Sequence, residues 1–249
     1  MHRFIDFFPL KKGQMTAFVG CGGKTSLIEG IITEAENFNL PVIHTTTTKI
    51  YPPKERKFIL GSDIQELIEG IKSVGDSLVT AAYAIDSGES KLLGFPVKWF
   101  NTLLQEFPGY CMLIEADGCR GQSIKIYREN EPCLPPETDR VVILTGMDAF
   151  TCCRIEEKMH RYDLFQRFFP NKKFYTLQDR IDILFHSKGL ITKIPKEIKK
   201  VLFLNKVTEA TLEQARMIAD LLLEKAAEQL DGVLIGNTFE KPMIYEYRK

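Results

Sequence analysis

The sequence predicts an α/β protein in which helices cover both faces of a mainly parallel sheet, giving a three-layer αβα sandwich. Three observations indicate this fold. Short, continuously apolar runs recur along the chain, helical stretches separate them, and the first run passes through glycines directly into a helical pattern. Apolar runs without alternation are typical of parallel strands that are buried on both faces.

The first unit of the chain reads as strand, loop, helix and strand. Met15–Val19 is an apolar run that predicts a buried strand. From Thr25 onwards, apolar residues recur on one side of a helix until Asn37–Pro41 breaks the pattern. Val42–Thr46 then predicts the second strand, as expected of a right-handed parallel crossover.

Similar patterns predict the other elements. The remaining strand candidates are Leu78–Ile85, Cys111–Ala116, Val141–Thr145, Val201–Asn205 and Val233–Asn237, with Met243–Tyr247 as an edge strand. The remaining helix candidates are Ile64–Ser73, Val97–Phe107, Glu156–Phe169 and Glu209–Leu230. A length of 249 residues is ordinary for one α/β domain, and no internal repeat or low-complexity linker is visible, so we expect residues 1–249 to form a single domain, with two small domains as the alternative.

Composition and charge limit the classes of function. The 33 Lys and Arg residues balance the 33 Asp and Glu residues, so neither nucleic acid nor a membrane surface is expected to be the main partner. No secretory signal or membrane-spanning run is visible. The six cysteines form no regular framework and no C-x-x-C pair. The adjacent Cys152 and Cys153 suit small apolar positions, with a redox or soft-ligand role as the alternative. We therefore expect a cytoplasmic protein.

The segment Gly20-Cys21-Gly22-Gly23-Lys24-Thr25-Ser26 joins the first strand to the first long helix. Its glycines allow the backbone amides to approach phosphate oxygens, and the helix start adds to this anion site. Lys24 is expected to reach the β- and γ-phosphates and Thr25 to bind Mg²⁺, with Ser26 as a reserve hydroxyl. These features predict a P-loop NTPase-like protein that binds ATP or GTP with Mg²⁺.

The loop is shorter than the full-length pattern, because Phe18 stands five places before Gly23 where that pattern has glycine. Its G-x-x-G-K-T form resembles the short phosphate loop of the Mur-type amide ligases. A glycine-rich strand-to-helix turn with an accidental Lys-Thr pair is the structural alternative. The strand before the loop and the helix after it favour the phosphate loop.

Two carboxylates follow the apolar run Cys111–Ala116. Glu115 and Asp117 are two residues apart, so both point the same way if the strand continues. We expect Glu115 to hold water or the metal and Asp117 to hold the metal or a substrate, without a firm order. A polar strand end without a role in chemistry is the alternative.

Further polar residues fall where the predicted strands end. Thr47, Thr48 and Lys49 follow the second strand, at the edge where parallel sheets bind ligands, although a β-branched strand end explains them too. Arg120 and Lys125 follow the carboxylates and suit either phosphate neutralisation or solvated surface charge. His160-Arg161 is predicted to lie on a helix, where a surface role is the commoner outcome.

Taken in order, the segments VGCGGKTS, TTTTKIYPP, LIEADGCRGQSIK, NEPCLPP and MHR resemble the YqeC family from Met15 to about the final strand. Members are described as accessory proteins for selenium-dependent molybdenum hydroxylases or as selenium cofactor biosynthesis proteins. The resemblance implies a nucleotide-dependent step in maturing such a hydroxylase. It assigns nucleotide binding to Gly20, Gly23, Lys24, Thr25, Thr47, Thr48 and Lys49, and a third motif to Glu115, Asp117 and Arg120.

Two departures from known patterns bear on this resemblance. The third motif has Cys119 where a serine is usual. Asn205-Lys206-Val207-Thr208 resembles the guanine-reading N-K-x-D pattern and marks Asn205 and Lys206 as nucleotide-binding candidates, but Thr208 replaces the aspartate that would bind guanine.

Three functions fit these residues. The first is an enzyme that uses ATP or GTP with Mg²⁺ to activate or transfer a group during cofactor maturation, with catalytic roles for Lys24, Glu115, Asp117 and Arg120. The second is a nucleotide-gated delivery protein whose client is an apo-hydroxylase, and under either reading the protein partners would be the molybdenum hydroxylase or its maturation proteins. The third is a small-molecule kinase in which Arg120, Lys125 and Arg161 bind a second substrate.

Overall fold

The computed structural model describes residues 3–75, 78–170, 175–240 and 243–249. The strands of this part of the chain are β1 (Met15–Gly20), β2 (Val42–Thr46), β3 (Lys49–Ile50), β4 (Phe58–Leu60), β5 (Val79–Ala82), β6 (Ala84–Asp86), β7 (Lys91–Leu93), β8 (Cys111–Glu115), β9 (Ile124–Lys125), β10 (Arg140–Gly146), β11 (Met159–His160), β12 (Lys199–Asn205), β13 (Gly232–Gly236) and β14 (Ile244–Arg248).

The helices of the same ranges are α1 (Phe4–Phe7), α2 (Lys24–Asn37), α3 (Ile64–Val74), α4 (Trp99–Glu106), α5 (Asp148–Thr151), α6 (Tyr162–Phe168), α7 (Leu177–Phe185), α8 (Leu190–Lys193) and α9 (Leu212–Ala226). Short 3₁₀ turns precede β11 and flank α9. No helix among the described residues is long and apolar enough to cross a membrane.

One large sheet organises the fold, in the order β14-β13-β12-β10-β1-β8-β2-β5-β4. Its neighbours pair in parallel except for β14, which runs antiparallel to β13 at the edge. β8 lies between β1 and β2, so the ends of three strands that carry predicted site residues are adjacent. The mainly parallel sheet and the edge strand near Met243–Tyr247 confirm the sequence predictions.

Apolar residues of the central strands alternate between two cores, which explains their continuous hydrophobicity. Val141 and Ile143 of β10 face one core, and Val142 and Leu144 face the other. The second core contains α1 and α2, whereas the first contains apolar residues of α3, α4, α7 and α9. The helices therefore form layers on both faces of the sheet, and the three-layer prediction is confirmed.

Two element predictions are wrong. The run Leu78–Ile85 ends its part in the main sheet at Ala82, and β6 pairs instead with β7 in a small sheet that also contains β3. The helix predicted over Glu156–Phe169 is a 3₁₀ turn, the strand β11 and then α6. Arg161 has a positive φ of 66°, which a helix does not tolerate, and β11 pairs with β9.

Candidate functional site

The candidate site lies at the carboxyl edge of the main sheet, where β1, β8 and β12 end. Gly20 closes β1, and the next residues turn into α2, which begins at Lys24. Ser26 lies in the first turn of this helix. The loop and the helix N-terminus are thus contiguous, as the sequence predicts.

Three glycines give the loop its shape. Gly20, Gly22 and Gly23 have φ values of 97°, 90° and 123°, which other residues rarely adopt. A Cβ atom on Gly20 would lie 2.1 Å from the Leu144 carbonyl oxygen, and one on Gly22 would lie 2.7 Å from the Gly146 nitrogen. The loop therefore packs against the end of β10 so closely that side chains are excluded.

Lys24 is buried within this loop, with a relative exposure of 3%. Its Nζ donates to the Gly20 carbonyl at 2.5 Å and lies 2.9 Å from Asp117 Oδ1 and 3.9 Å from Glu115 Oε1. Both carboxylates thus face the same cation, as their spacing predicts. Burial lowers the pKa of Lys24, but attraction to Asp117 and to the neighbouring Cys119 and Glu115 outweighs it, so the amine is held charged.

Asp117 is fully buried and surrounded by donors. Its Oδ2 accepts from the Gly20 amide and from the Tyr127 hydroxyl, both at 2.9 Å, and lies 3.3 Å from Lys125 Nζ. Lys125 is itself buried and also contacts Glu131 at 3.4 Å. Asp117 therefore fixes the loop and balances two lysines, and it is enclosed by protein groups.

Thr25 and Glu115 form the more open half of the site. The exposed Thr25 donates its hydroxyl to Glu115 Oε2 at 3.0 Å. Burial raises the pKa of Glu115 to about 7, although Lys24 and the Thr25 hydrogen bond oppose the rise. A threonine hydroxyl beside a carboxylate is suited to hold Mg²⁺ when phosphate oxygens complete the coordination.

No group of three or more His, Cys, Asp or Glu side chains in the described ranges is arranged to hold a metal ion by itself. Any Mg²⁺ at Thr25 and Glu115 would take its remaining ligands from water or from a bound phosphate.

Two cysteines meet at the loop. The Cys119 sulfur lies 3.6 Å from Lys24 Nζ and receives a hydrogen bond from the buried Cys21 thiol. This hydrogen bond and the Lys24 charge outweigh burial and lower the pKa of Cys119 to about 5. Cys119 is therefore a thiolate at neutral pH.

Asn205 connects the loop to the far strands. Its Nδ2 donates to the Gly22 carbonyl at 2.7 Å, and its Oδ1 accepts from the Thr238 amide at 2.9 Å. Lys206 has a positive φ of 63° and donates to Ser123 Oγ at 2.7 Å. Asn205 thus lies at the site, with both ends of its amide used by the protein.

The hydroxyls after β2 lie beside β8. The Thr47 amide donates to the Glu115 carbonyl at 3.2 Å, and its hydroxyl donates to the Cys133 carbonyl at 2.8 Å. Thr48 is partly exposed and hydrogen-bonds Thr46. Lys49 instead contacts Asp86 at 2.6 Å in the small sheet, so the structure does not bring it to the Lys24 cluster.

The predicted basic residues after β8 have different surroundings. Arg120 is exposed, with a positive φ of 50°. Burial, together with Arg161, Lys125 and Arg120, lowers the pKa of His160 to about 4, so it is neutral near pH 7. Arg161 forms an ion pair with Glu131 through both terminal nitrogens. Neither residue lies on the helix that the sequence predicts. His160 ends β11, and Arg161 precedes α6 in a turn that its ion pair with Glu131 stabilises.

Sequence reasoning missed Tyr127, Thr238 and Phe239. Thr238 and Phe239 follow Asn237, at the carboxyl end of a parallel strand, and that position was a usable signal. Tyr127 had no comparable signal, because its hydrogen bond to Asp117 depends on the tertiary fold.

Comparison with known proteins adds two findings. The family model described as "YqeC protein" matches residues 16–163. The chain is also 25% identical to "Uncharacterized protein YqeC" of Escherichia coli (strain K12) over 242 residues, which cover 96% of this chain and 93% of that protein. The match of the family model contains the loop, both carboxylates and Arg161.

Proposed function

This chain belongs to the YqeC family, and we propose that it binds the phosphates of ATP or GTP, with Mg²⁺, in the Gly20–Ser26 loop and hydrolyses the nucleotide. One observation carries the proposal. The glycine loop, whose glycines have positive φ values, leads into a 14-residue helix that begins at Lys24. At the start of this helix, Lys24 and Thr25 meet Glu115 from the end of β8. Backbone amides at such a helix start bind anions, and the lysine and hydroxyl supply the remaining contacts.

The surroundings of Lys24 support exchange of its partner when phosphate binds. In the free protein its ammonium is paired with Asp117. Asp117 keeps three other partners, namely the Gly20 amide, the Tyr127 hydroxyl and Lys125. These partners all lie at Oδ2, so if Lys24 turns towards a phosphate, Lys125 still balances the charge of Asp117 while Oδ1 loses its ion-pair contact with Lys24.

The same charges explain why Mg²⁺ is needed. Glu115 and Asp117 both lie within 4 Å of Lys24, so the loop's cation is already neutralised. A bare polyphosphate would meet carboxylate repulsion at Glu115. Mg²⁺ held by Thr25, Glu115 and phosphate oxygens removes that repulsion.

Glu115 is also placed to act on water. Its pKa of about 7 keeps a substantial share of the carboxylate deprotonated at neutral pH, while the group remains a strong enough base to orient or activate a water molecule. Arg120 lies exposed on the segment after β8, where it can neutralise phosphate or a second substrate.

We extend the proposal to a pathway on the strength of the family resemblance. Nucleotide use would support maturation of a selenium-dependent molybdenum hydroxylase, either by activating a group for transfer or by timing delivery to the apo-enzyme. Selenium analysis of the hydroxylase by mass spectrometry would test this. Cells that carry only the Lys24→Ala variant should yield selenium-poor hydroxylase, and a normal selenium content would contradict this role.

The biochemical proposal is tested by measuring phosphate release from ATP, GTP, CTP and UTP, each with and without Mg²⁺. We expect release from ATP or GTP only with Mg²⁺. Mass spectrometry of small molecules that copurify with the protein identifies the bound base. Hydrolysis that does not depend on Mg²⁺, or no release and no bound nucleotide, would overturn the proposal.

A further inference from the structure

An exposed aromatic ring lies at the edge of the phosphate loop. Phe239 follows β13 and is 59% exposed. A Cβ atom placed on Gly23 would lie 3.5 Å from Phe239 Cε2, which is van der Waals contact distance. The ring therefore lies directly beside the loop while keeping most of its surface open to solvent.

Hydrogen bonds hold the backbone that carries this ring in a fixed position relative to the loop. The Phe239 amide donates to Asn237 Oδ1, and the Thr238 amide donates to Asn205 Oδ1, both at 2.9 Å. Asn205 in turn donates to the Gly22 carbonyl at 2.7 Å. Asn237 Nδ2 also donates to the Val207 carbonyl at 3.1 Å. The loop, the end of β12 and the Phe239 segment thus form one hydrogen-bonded unit, which is the support that a preorganised binding surface requires.

The chemistry of this surface suits a nucleobase. A nucleotide whose phosphates occupy the loop carries a flat base on the far side of its ribose, and an exposed aromatic ring at the edge of the loop can stack on any base. Asn205 and Thr208 are poorly placed to hydrogen-bond the edge of a base. Both ends of the Asn205 amide already bind protein groups, and the Thr208 hydroxyl contacts the Thr211 hydroxyl at 3.3 Å. Stacking on the Phe239 ring is therefore the interaction with a base that these residues favour.

We propose that Phe239 is the stacking platform for the base of the bound nucleotide, with purines preferred over pyrimidines and little discrimination between adenine and guanine. This inference rests on the proposed function. The proposed function concerns only the phosphates of the nucleotide, and this inference assigns a binding position to the base. It also explains how a chain that has Thr208 in place of the guanine-binding aspartate can still bind a base. The larger purine ring overlaps the phenyl face more fully than a pyrimidine does.

The test compares a ligand that has a base with one that does not. Calorimetric titration with Mg²⁺ would measure the affinities of ATP, GTP, UTP and inorganic tripolyphosphate for the native protein and for Phe239→Ala and Phe239→Trp. We expect Phe239→Ala to weaken ATP and GTP binding by about tenfold, with tripolyphosphate binding unchanged. Phe239→Trp should retain purine binding, because the indole ring also stacks.

Phe38→Ala is the matched control, since Phe38 is 46% exposed and follows the far end of α2, about 20 Å from the loop. It should change none of the affinities. Unchanged ATP affinity in Phe239→Ala would overturn the inference, and so would an equal loss of ATP and tripolyphosphate binding, since Phe239 would then only shape the loop. A native protein that binds none of these four ligands would show that the proposed function itself has failed.

Discussion

The sulfur of Cys119 is the most chemically activated nucleophile at the loop. It faces the Lys24 ammonium and the Cys21 thiol, which together lower its pKa to about 5, and its side chain is partly exposed. In contrast, burial raises the pKa of Cys111 to about 11 and also raises that of Cys133. Reactivity towards an electrophile should therefore separate these cysteines.

We predict that iodoacetamide modifies Cys119 at pH 6.5, well before Cys111 or Cys133, because Cys119 is already a thiolate. Peptide mass spectrometry at a series of pH values would follow each site. The Cys119 rate should fall only as the pH drops through about 5. Cys21→Ala removes the hydrogen bond and should move this midpoint upward. A midpoint near the ordinary thiol value in the native protein would contradict the described environment.

Glu115 gives the second prediction at the scale of single residues. Glu115→Gln keeps the size and the hydrogen bond to Thr25 but removes the carboxylate charge. We expect nucleotide binding to change less than about tenfold, because glutamine keeps an oxygen ligand for Mg²⁺ and removes the repulsion of phosphate. Phosphate release should fall by about a hundredfold, as when one group that stabilises a transition state is removed. Steady-state kinetics and calorimetry on the same sample separate the two effects.

Glu106→Gln is a suitable control, because Glu106 of α4 is a surface residue whose ion pair is with Lys72 on α3, outside the candidate site. It should leave both quantities unchanged. If Glu115→Gln lost binding and turnover equally, Glu115 would act only in binding Mg²⁺ and the nucleotide, and its role in the chemical step would be contradicted.

At the scale of elements, the turn from β1 into α2 depends on Gly20. Its φ of 97° and the 2.1 Å approach of a Cβ to the Leu144 carbonyl both exclude a side chain. We predict that Gly20→Ala lowers the free energy of unfolding by about 2–4 kcal/mol, measured by urea denaturation.

Gly75→Ala is the matched control for this turn. Gly75 has a φ of 80°, but a Cβ there meets nothing within 4 Å. It should cost only the backbone strain, about 1 kcal/mol. Equal losses in the two variants would mean that the packing of the loop against β10 contributes little.

The elements also show what a sequence can predict. Continuous apolar runs identified the main strands, because strands buried between two helical layers need apolar residues on both faces. The small sheet of β3, β6 and β7 has strands of two or three residues, too short for periodicity to reveal. The helix predicted through His160 and Arg161 failed because a distant ion pair with Glu131 overrode local propensity.

At the scale of the whole molecule, the sheet order explains why the site was partly predictable. Gly20, Glu115 and Asn205 are far apart in sequence, yet all lie at the carboxyl ends of parallel strands, and that edge is where such sheets bind ligands. Strand ends could therefore be assigned to the site from the sequence. The burial of Asp117, the pairing of Lys49 with Asp86 and the position of Phe239 depend on tertiary contacts.

The central claim, that Lys24 binds nucleotide phosphate, is tested most directly by calorimetric titration of Mg·ATP and Mg·GTP into the native protein and Lys24→Ala. Circular dichroism confirms that the variant is folded, and Thr25→Ala, at an exposed position, serves as a second variant. We predict that the native protein binds at least one nucleotide and that Lys24→Ala weakens it by about a hundredfold, the loss expected for one charge-assisted contact. Equal affinity in the native protein and Lys24→Ala, or no binding by the native protein, would contradict the claim.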